Sequence, residues 1–457
     1  MNVGKQHPSP PLSTVKKFPI LPLAAFFIPL LVYIATMSSE LTRAHYGADS
    51  GELIAAAVTL GSPHPPGYPT YVVLGKLFSF LPIGSIATRF NIFSAVTISA
   101  TAALITFIHA QSDPRKRWVN VLPALIFAFT AVVWSQAIIT EVYGLNLLMV
   151  GLFLWAIHKE RGGLIGLFLG LSITTHLTSL FLLPLALISI RPSQWRQFGS
   201  GLLAGLSPLL LLPLFAWGDS PIVWGDPTTF RGWIWLISGK LYHPNAFAVP
   251  LVAIYPRMSS WLREGMWQII ILFPLALVGI WQRYSPLATR YSQTRPLITL
   301  LTAVIYILYA LLYRTNDAII LTLPAVLLLT TLLPRSKWLL PVPILLLLLN
   351  FNALTLHNAP SSRPQAVQIL QTAPTNAILL TEGDHLIFDL WYYQQAEHIR
   401  PDLLLVDADL LAFDWYRARL GRLHPELKAL AVDDLDAFER ENKVYKIENP
   451  SSADYVD

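Results

Sequence analysis

The side chains best suited to chemistry lie close together near the N-terminus, between Tyr46 and Pro69. Two carboxylates, Asp49 and Glu52, are three positions apart, and His64 follows them. A carboxylate that is held rigidly within hydrogen-bond reach of a hydroxyl group can act as a general base. Asp49 and Glu52 are therefore the candidate catalytic residues, and His64 is a candidate substrate-binding residue.

The run after His64 is a stiff turn of sequence HPPGYP, which contains Tyr68 as a second candidate binding residue. Its prolines fix φ, and its glycine allows a close approach of another group. A structural alternative exists for each feature. Asp49 can cap a helix that begins at Ser50, Glu52 can complete a start that resembles a capping box, and the proline run can be a plain turn. Residue types alone leave both interpretations open.

Three further candidate binding residues lie at the edges of apolar runs. Glu141 is unusual beside so much apolar sequence, whereas Tyr143 has the ordinary alternative of an interfacial tyrosine. His176 lies between two apolar runs, where an ionisable group is costly and is a functional candidate. Its alternative is a satisfied core histidine.

Cations near the same boundaries are candidate ligands for a phosphate, because guanidinium and ammonium groups form charge-assisted hydrogen bonds with it. These residues are Arg89, Arg231, Lys240 and Arg314. Their alternative is snorkelling, in which the aliphatic stem covers apolar surface and the charge stays in water.

The composition is that of a membrane protein. Of 457 residues, 54% are hydrophobic and 13% are charged, against about 25% charged in globular proteins. The net charge is +5, but the basic residues form short clusters between apolar runs, a pattern of loops and not of a nucleic-acid surface. The absence of cysteine excludes disulfides, zinc-thiolate sites and a cysteine nucleophile.

Apolar runs predict an α-helical polytopic protein with about eleven transmembrane spans, each near the length of about 20 residues that crosses a bilayer. A shorter run at 71–81 is predicted to be interfacial or re-entrant. The predicted spans are 18–37, 90–110, 119–140, a return to His158, 164–175, 177–190, 199–217, 266–282, 296–313, 318–333 and 338–356.

Basic residues predict the orientation. Lys5, Lys16 and Lys17 precede the first span, which lacks a cleavage site, so the N-terminus is expected in the cytoplasm. The clusters at 115–117, 159–161, 191–196, 283–295 and 335–337 then all fall on that side. We therefore expect a multi-pass protein of the inner (plasma) membrane, with the first loop (residues 38–69) and the C-terminus extracytoplasmic.

From His357 the composition becomes that of a soluble domain. Apolar runs at 377–381 and 403–406 predict buried parallel strands, with helices around 388–395 and 410–420. The predicted organisation is a transmembrane domain at 1–356, with the first loop as its catalytic part, and an extracytoplasmic α/β domain at 357–457.

Several motifs resemble a bacterial membrane family related to the protein O-mannosyltransferases, within the GT-C glycosyltransferases (glycosyltransferase family 117-like). The resemblance covers nearly the whole chain. It is carried by Asp49-Ser50-Gly51-Glu52 through His64-Pro65-Pro66-Gly67-Tyr68-Pro69, and by Glu141-Val142-Tyr143, Thr175-His176, Glu382-Gly383-Asp384, Leu390-Trp391-Tyr392, Arg400-Pro401-Asp402 and Trp415-Tyr416.

The resemblance implies an inverting enzyme that takes a sugar from a polyprenyl-phosphate carrier. It places the catalytic acid at Asp49, with Glu52 second, and it implies no nucleotide-sugar site. The implied partners are the lipid-linked donor, membrane lipids and an extracytoplasmic protein, glycan or lipid acceptor, with no nucleic acid. We favour a reaction without a metal cofactor, with a divalent cation held by Asp49 and Glu52 or Glu141 as the alternative.

Two other functional classes compete with this hypothesis. A transporter or flippase would use intramembrane ionisable groups and broken helices, which His176 and the prolines permit. A non-catalytic scaffold would bind a partner through its C-terminal domain. The position of the polar candidates at one boundary and the absence of repeated halves favour the transferase.

Overall fold

The computed structural model describes residues 20–112, 118–283, 290–430 and 434–447. Within these ranges the chain is a helical protein with one small parallel sheet near its C-terminal end. The predicted cytoplasmic segment with Lys5, Lys16 and Lys17 and the basic cluster at 115–117 lie outside the described residues.

The first half of the chain folds into helices joined by short turns. In order, these are α1 (Ile20–Thr36), α2 (Ser50–Thr59), α3 (Pro69–Ser79), α4 (Ile86–Ser112), α5 (Leu122–Phe129), α6 (Ala131–Ala137), α7 (Tyr143–His158), α8 (Gly162–Thr175), α9 (Leu183–Ser189), α10 (Trp195–Leu206) and α11 (Leu211–Trp217).

The second half continues with ten helices among the described residues and then adds the strands. The helices are α12 (Phe230–Ile237), α13 (Leu251–Arg263), α14 (Met266–Arg283), α15 (Arg290–Leu312), α16 (Leu323–Leu332), α17 (Pro341–Leu354), α18 (Arg363–Thr372), α19 (Asp384–Gln395), α20 (Asp414–Leu423) and α21 (Leu435–Asn442). The strands are β1 (Ile378–Thr381), β2 (Leu404–Asp407) and β3 (Tyr445–Ile447).

Helices occupy the predicted spans, but fewer of them are long enough to cross a membrane. By length and apolar composition, five helical segments of the described chain qualify: Ile86–Gln111, Pro192–Trp217, Met266–Arg283, Thr294–Leu312 and Lys337–Leu354. A sixth is added if the pair Trp118–Phe129 and Ala131–Ala137, bent by 72°, forms one span. Five shorter apolar helices of 10–17 residues fill the remaining positions. The membrane-protein class is supported, and the count of eleven stays a prediction.

The bend falls in the span predicted at 119–140. Thr130, between α5 and α6, has an extended backbone, with φ −63° and ψ 134°. An extended residue interrupts the ladder of backbone hydrogen bonds that a continuous helix needs. The apolar pattern does not register this break, because every residue around it is still apolar and buried.

Glycines let two of the short helices approach closely. A Cβ on Gly166 of α8 would lie 2.1 Å from the carbonyl oxygen of Phe198, and one on Gly205 of α10 would lie 2.2 Å from that of Leu167. Small residues of this kind are common where membrane helices pack, since they allow backbone-to-backbone contact. The outward face of α10 is apolar, with Leu203 72% exposed, as a lipid-facing surface requires.

The C-terminal segment contains the predicted strands. β1 is central, pairs in parallel with β2 and β3, and aligns Leu380 with Val406. The first predicted helix forms as α19. The second is divided into a 3-10 turn at Leu410–Ala412 and α20. The sequence did not predict β3, because its three residues include Lys446 and form no apolar run.

The first loop packs directly on the C-terminal segment. A Cβ on Gly51 of α2 would lie 2.3 Å from the carbonyl oxygen of Phe388 in α19, so glycine is required for this contact. Buried side chains of both helices, such as Leu53 and Leu386, belong to the same apolar core. This shared core fixes α2 relative to α19, whereas the division into domains at residue 356 stays a prediction.

Candidate active site

The two candidate carboxylates have different surroundings. Asp49 ends a 3-10 turn, Ala44–Asp49, and its side chain makes no capping hydrogen bond to α2. Glu52 is fully buried, and its Oε1 accepts a hydrogen bond of 3.0 Å from the backbone N–H of His64. Its Oε2 accepts a second hydrogen bond from the Nδ1 nitrogen of the same histidine. The capping-box alternative is therefore wrong, because Glu52 bonds forward to His64 and not back to the helix start.

His64 connects the buried carboxylate to the accessible one. Its Nε2 lies 3.2 Å from the hydroxyl oxygen of Tyr68 and 3.7 Å from Oδ2 of Asp49. The turn predicted after His64 positions Tyr68 with φ +40°, directly before Pro69 begins α3. Glu52, His64, Tyr68 and Asp49 thus form one connected polar cluster.

The charges of this cluster determine its protonation. Burial alone lowers the pKa of His64, but the negative charges of Glu52 and Asp49 and the hydrogen bond with Glu52 raise it to about 10. The ring is therefore an imidazolium at neutral pH. Burial raises the pKa of Asp49, the positive charge of His64 opposes this rise, and Glu52 adds to it. Asp49 is consequently a stronger base than an ordinary aspartate.

A cavity of about 370 Å³, here called the histidine cavity, contains most of the candidate residues. Its polar and aromatic lining includes Asp49, His64, Tyr68, Glu141, Tyr143 and His176. The sequence analysis did not identify Tyr242 and His243, which lie in the same lining and come from a turn after α12. The structure thus places six of the eleven predicted site residues in the lining of one cavity.

Local contacts orient the side chains on the far wall of the histidine cavity. The rings of Tyr143 and His176 lie 5.4 Å apart, centre to centre. Nδ1 of His176 is 2.8 Å from the hydroxyl oxygen of Thr178, so its other ring nitrogen is left for the cavity. Glu141 is 4% exposed and lies in the short connection between the end of α6 at Ala137 and the start of α7 at Tyr143.

A second cavity of about 890 Å³, here called the polar cavity, lies on the other side of Asp49. Its wall combines residues of the first loop, α13, α14, α17 and α19. They include Arg43, His45, Tyr46, Arg263, Glu264, Gln268, Asn350 and His385. Asp49 and Asp317 line both cavities, and among the described residues they alone do so.

A third cavity, of about 380 Å³, extends from the histidine cavity and is here called the apolar groove. Pro66, Leu177, Leu180 and Ser238 line both. The rest of the groove is almost entirely aliphatic, formed by Leu169, Ile173, Leu183, Leu202, Leu206, Leu209, Ile234 and Ile237. The histidine cavity therefore adjoins the apolar groove through these four residues and the polar cavity through Asp49 and Asp317.

The polar cavity depends on an ion pair between the first loop and the C-terminal segment. Nη2 of Arg43 is 2.7 Å from Oδ2 of Asp389, a residue of α19 that is 2% exposed. The same guanidinium donates a longer hydrogen bond to the carbonyl of His385. Sequence inspection did not identify Arg43 or His385, because nothing local indicates a contact across more than 300 residues.

The predicted phosphate-binding cations are not among the residues that line the described cavities. Arg89 donates to the carbonyl oxygens of Ile83 and Gly84, at 3.0 and 3.3 Å, and so stabilises the turn before α4. Arg231, Lys240 and Arg314 are exposed and are not among the lining residues of the described cavities. Glu52 is likewise absent from the lining, because it lies behind His64.

The carboxylates at the boundary of the two cavities are the groups best placed to hold a metal ion. Within residues 20–112, 118–283, 290–430 and 434–447, no three histidine or carboxylate side chains come together as ligands of one ion. Asp49 and Asp317 offer carboxylate oxygens at the junction of the cavities, and oxygen ligands suit a hard divalent cation.

Fold and site together define a class: a helical membrane protein whose acidic site lies where its first loop meets its C-terminal segment. Two family models match the chain, and both describe proteins of one family. Residues 49–197 match the protein O-mannosyl-transferase TMEM260 N-terminal domain, and residues 362–443 match TMEM260-associated domain 2. The chain is therefore related to the TMEM260 family of protein O-mannosyl-transferases.

Curated relatives agree with the family models. The chain is 27% identical to protein O-mannosyl-transferase TMEM260 of Mus musculus, over 86% of this chain and 63% of the mouse protein. It is 23% identical to the corresponding protein of Dictyostelium discoideum, over 91% of this chain and 60% of that protein. The chain thus spans less than two thirds of the length of these relatives. The predicted relationship to O-mannosyltransferases is confirmed.

Proposed function

We propose that this chain is an inverting membrane glycosyltransferase that moves a sugar, of the mannose class, from a polyprenyl-phosphate carrier to a hydroxyl group of a protein. The observation that carries this proposal is the position of Asp49 in the lining of two cavities, one of which adjoins an aliphatic groove. The names of the relatives support a mannosyl group and a protein acceptor.

The donor fits the apolar groove and the histidine cavity. An aliphatic groove suits a prenyl chain, since burying its surface is favourable by about 25 cal/mol per Å². The phosphate end of the prenyl chain would lie near Pro66 and Leu177, which line both the groove and the histidine cavity. There the imidazolium of His64 offers positive charge to the phosphate. Such charge stabilises the developing negative charge of a phosphate leaving group.

The acceptor fits the polar cavity, and Asp49 lies between the acceptor and the donor. Asp49 would take the proton from the acceptor hydroxyl group as its oxygen forms a bond to C1 of the sugar. The bond between C1 and the phosphate oxygen breaks, and polyprenyl phosphate leaves with that electron pair. Attack from the face opposite the phosphate inverts C1.

The more detailed predictions of fold, family, membrane and orientation that were made from the sequence remain part of the proposal. These are the GT-C fold with about eleven spans, a bacterial family 117-like origin, residence in the inner (plasma) membrane, and an extracytoplasmic first loop and C-terminal domain. They are mutually consistent, since a lipid phosphate donor at the membrane surface requires the base, the cations and the acceptor on one side.

The test is Asp49→Asn, assayed with polyprenyl-phosphate mannose and a hydroxyl-bearing acceptor peptide. Asparagine keeps the shape of the side chain but cannot take a proton, so we expect turnover to fall about 100- to 10,000-fold. Because Asp49 makes no capping hydrogen bond, the melting temperature should be unchanged. Asp219→Asn is the matched control, since Asp219 is exposed and lines none of these cavities.

Wild-type turnover by Asp49→Asn would end its assignment as the base and favour Glu52 or Glu141. Movement of the lipid carrier across vesicles without sugar transfer, unaffected by Asp49→Asn, would instead support the transporter alternative. A scaffold would show neither activity, and its partner binding would survive the substitution.

A further inference from the structure

Asp317 lies at the boundary of the histidine cavity and the polar cavity, far in sequence from the motif at residues 49–69. It precedes the 3-10 turn Ala318–Thr322, which leads into α16. Asp49 and Asp317 are the two residues of the described chain that line both the histidine cavity and the polar cavity. These two carboxylates therefore mark the boundary between the two cavities.

The loop that carries Asp317 is fixed by neighbouring side chains. Arg257 donates hydrogen bonds to the carbonyl oxygens of Tyr313 and Thr315, the latter at 2.8 Å. The backbone N–H of Arg314 donates to the carbonyl of Asn245 at 2.9 Å. These contacts, two to four residues before Asp317, hold its loop without using its carboxylate.

The carboxylate of Asp317 has no hydrogen-bond or ion-pair partner among the described residues. Only its backbone carbonyl is used, which accepts the N–H of Ile320 at 2.9 Å. An ionised carboxylate accepts hydrogen bonds through two oxygens and donates none. A rigid, unpaired carboxylate between two cavities is therefore suited to a ligand with adjacent hydroxyl groups.

We propose that Asp317 binds hydroxyl groups of the transferred sugar at the junction of the two cavities and holds C1 of the sugar toward Asp49. This inference rests on the proposed function, because that function places the phosphate in the histidine cavity and the acceptor in the polar cavity. The sugar then occupies the junction, and Asp317 is a positioning residue on its side opposite Asp49.

The charge of Asp317 also acts on Asp49. The pKa of Asp49 is raised by burial, lowered by His64, and raised by Glu52 and Asp317, with a lowering contribution from His385. Removing the charge of Asp317 therefore lowers the pKa of Asp49. The acidic limb of the pH–rate profile should move to lower pH, a change that a purely structural role would not produce.

The experiment compares Asp317→Asn with wild type, using polyprenyl-phosphate mannose and the acceptor peptide. We expect kcat/KM for the donor to fall roughly 10- to 100-fold, as for loss of a hydrogen bond to a charged group. The acceptor KM should stay unchanged, and the acidic limb should shift to lower pH. Donors that lack one sugar hydroxyl group should lose less activity in the variant than in wild type.

Asp219→Asn is the matched control, and Asp317→Glu is a second variant that keeps the charge and should retain the wild-type pH profile. An increase in acceptor KM with unchanged donor kinetics would overturn the proposal, because Asp317 would then contact the acceptor. Equal donor kinetics in wild type and Asp317→Asn would also overturn it.

A binding measurement separates this inference from the proposed function. Donor affinity is measured without turnover in Asp49→Asn and in the double variant Asp49→Asn/Asp317→Asn. Weaker binding by the double variant supports the role of Asp317 even if transfer to the chosen peptide fails. Equal binding by the two proteins overturns it, whatever the activity of the wild type.

Discussion

The histidine cavity and the polar cavity share Asp49 and Asp317 but differ in size and in the surfaces that they adjoin. The histidine cavity is lined by aromatic and imidazole rings and opens into an aliphatic groove. The polar cavity is more than twice as large, and amides, arginines, histidines and three carboxylates from distant parts of the chain line it beside apolar residues. The difference means that Asp49 contacts two compartments of different size and shape, and only one of them adjoins an aliphatic groove.

The two cavities also differ in how they are held. The histidine cavity depends on Glu52, a buried carboxylate only twelve positions before His64. The polar cavity depends on Arg43 and Asp389, an ion pair 346 positions apart in the chain. We therefore expect local substitutions to affect the donor side and substitutions in the C-terminal segment to affect the acceptor side.

The largest effect is expected for the histidine cavity, from Glu52→Gln. Removing one partner of a buried ion pair costs about 3–5 kcal/mol, because the remaining group is left without its counter-charge. We expect a strongly lowered melting temperature and a lower pKa for His64. Thermal unfolding in detergent measures the loss. A melting temperature equal to that of wild type would contradict the structural role of Glu52.

The same pair predicts a pH dependence with a definite sign. The pKa of His64 rises from its ordinary value of 6.5 to about 10 in the folded protein. The stabilisation is therefore complete below pH 6.5 and is lost as the pH rises through about 10. Melting temperatures of wild type should decline over this range more steeply than those of Glu52→Gln. Parallel pH profiles of the two proteins would be inconsistent with a charged His64.

The next effect concerns the apolar groove and uses Leu206→Gln. Placing an amide against a prenyl chain without a hydrogen-bond partner costs about 1–3 kcal/mol. We expect the donor KM to rise about tenfold, with no change in the acceptor KM. The loss should be smaller for donors with a short prenyl chain. Leu203→Gln on the same helix is the control, because Leu203 is 72% exposed and lies outside the groove.

An equal effect of the two leucine variants, or one independent of chain length, would remove the groove as the lipid site. The assignment of the donor side would then depend on the histidine cavity alone.

The smallest effect is expected for the polar cavity, from His385→Ala. His385 lines that cavity and does not line the histidine cavity. We expect a several-fold increase in acceptor KM with unchanged donor KM, since loss of one neutral hydrogen bond costs about 1 kcal/mol. His357→Ala serves as control, because His357 is exposed. A donor effect would show that the two cavities do not bind separate substrates.

Sequence patterns predicted the features that depend on neighbouring residues. Apolar runs located the helices, and the runs at 377–381 and 403–406 located β1 and β2. Apolar runs do not determine the number of membrane spans, because a span requires a helix long enough to cross the bilayer without interruption. The extended backbone at Thr130 interrupts one apolar run without changing its composition.

The candidate site was predicted where one motif supplied several side chains. Asp49, His64 and Tyr68 come from one loop, and Glu141 and His176 were marked by ionisable groups in apolar surroundings. Asp317 and His385 were not identified, because their importance comes from contacts made only in the folded chain. Arg89, Arg231 and Arg314 were grouped with the site by charge alone; they do not line the described cavities, and their role as phosphate ligands stays a prediction.

The contact of Gly51 with Phe388 has a consequence for biosynthesis. A Cβ atom added to Gly51 would lie only 2.3 Å from the carbonyl oxygen of Phe388. Yet more than 330 residues separate the two positions in the chain. At a synthesis rate of about 5–20 residues per second, roughly 20–70 s pass before α19 follows α2 from the ribosome. During that interval the nascent polypeptide already carries Asp49 but lacks α19, whose His385 completes the wall of the polar cavity. Under the proposed function, competence for transfer therefore arises late, once the final quarter of the chain has packed against the first loop.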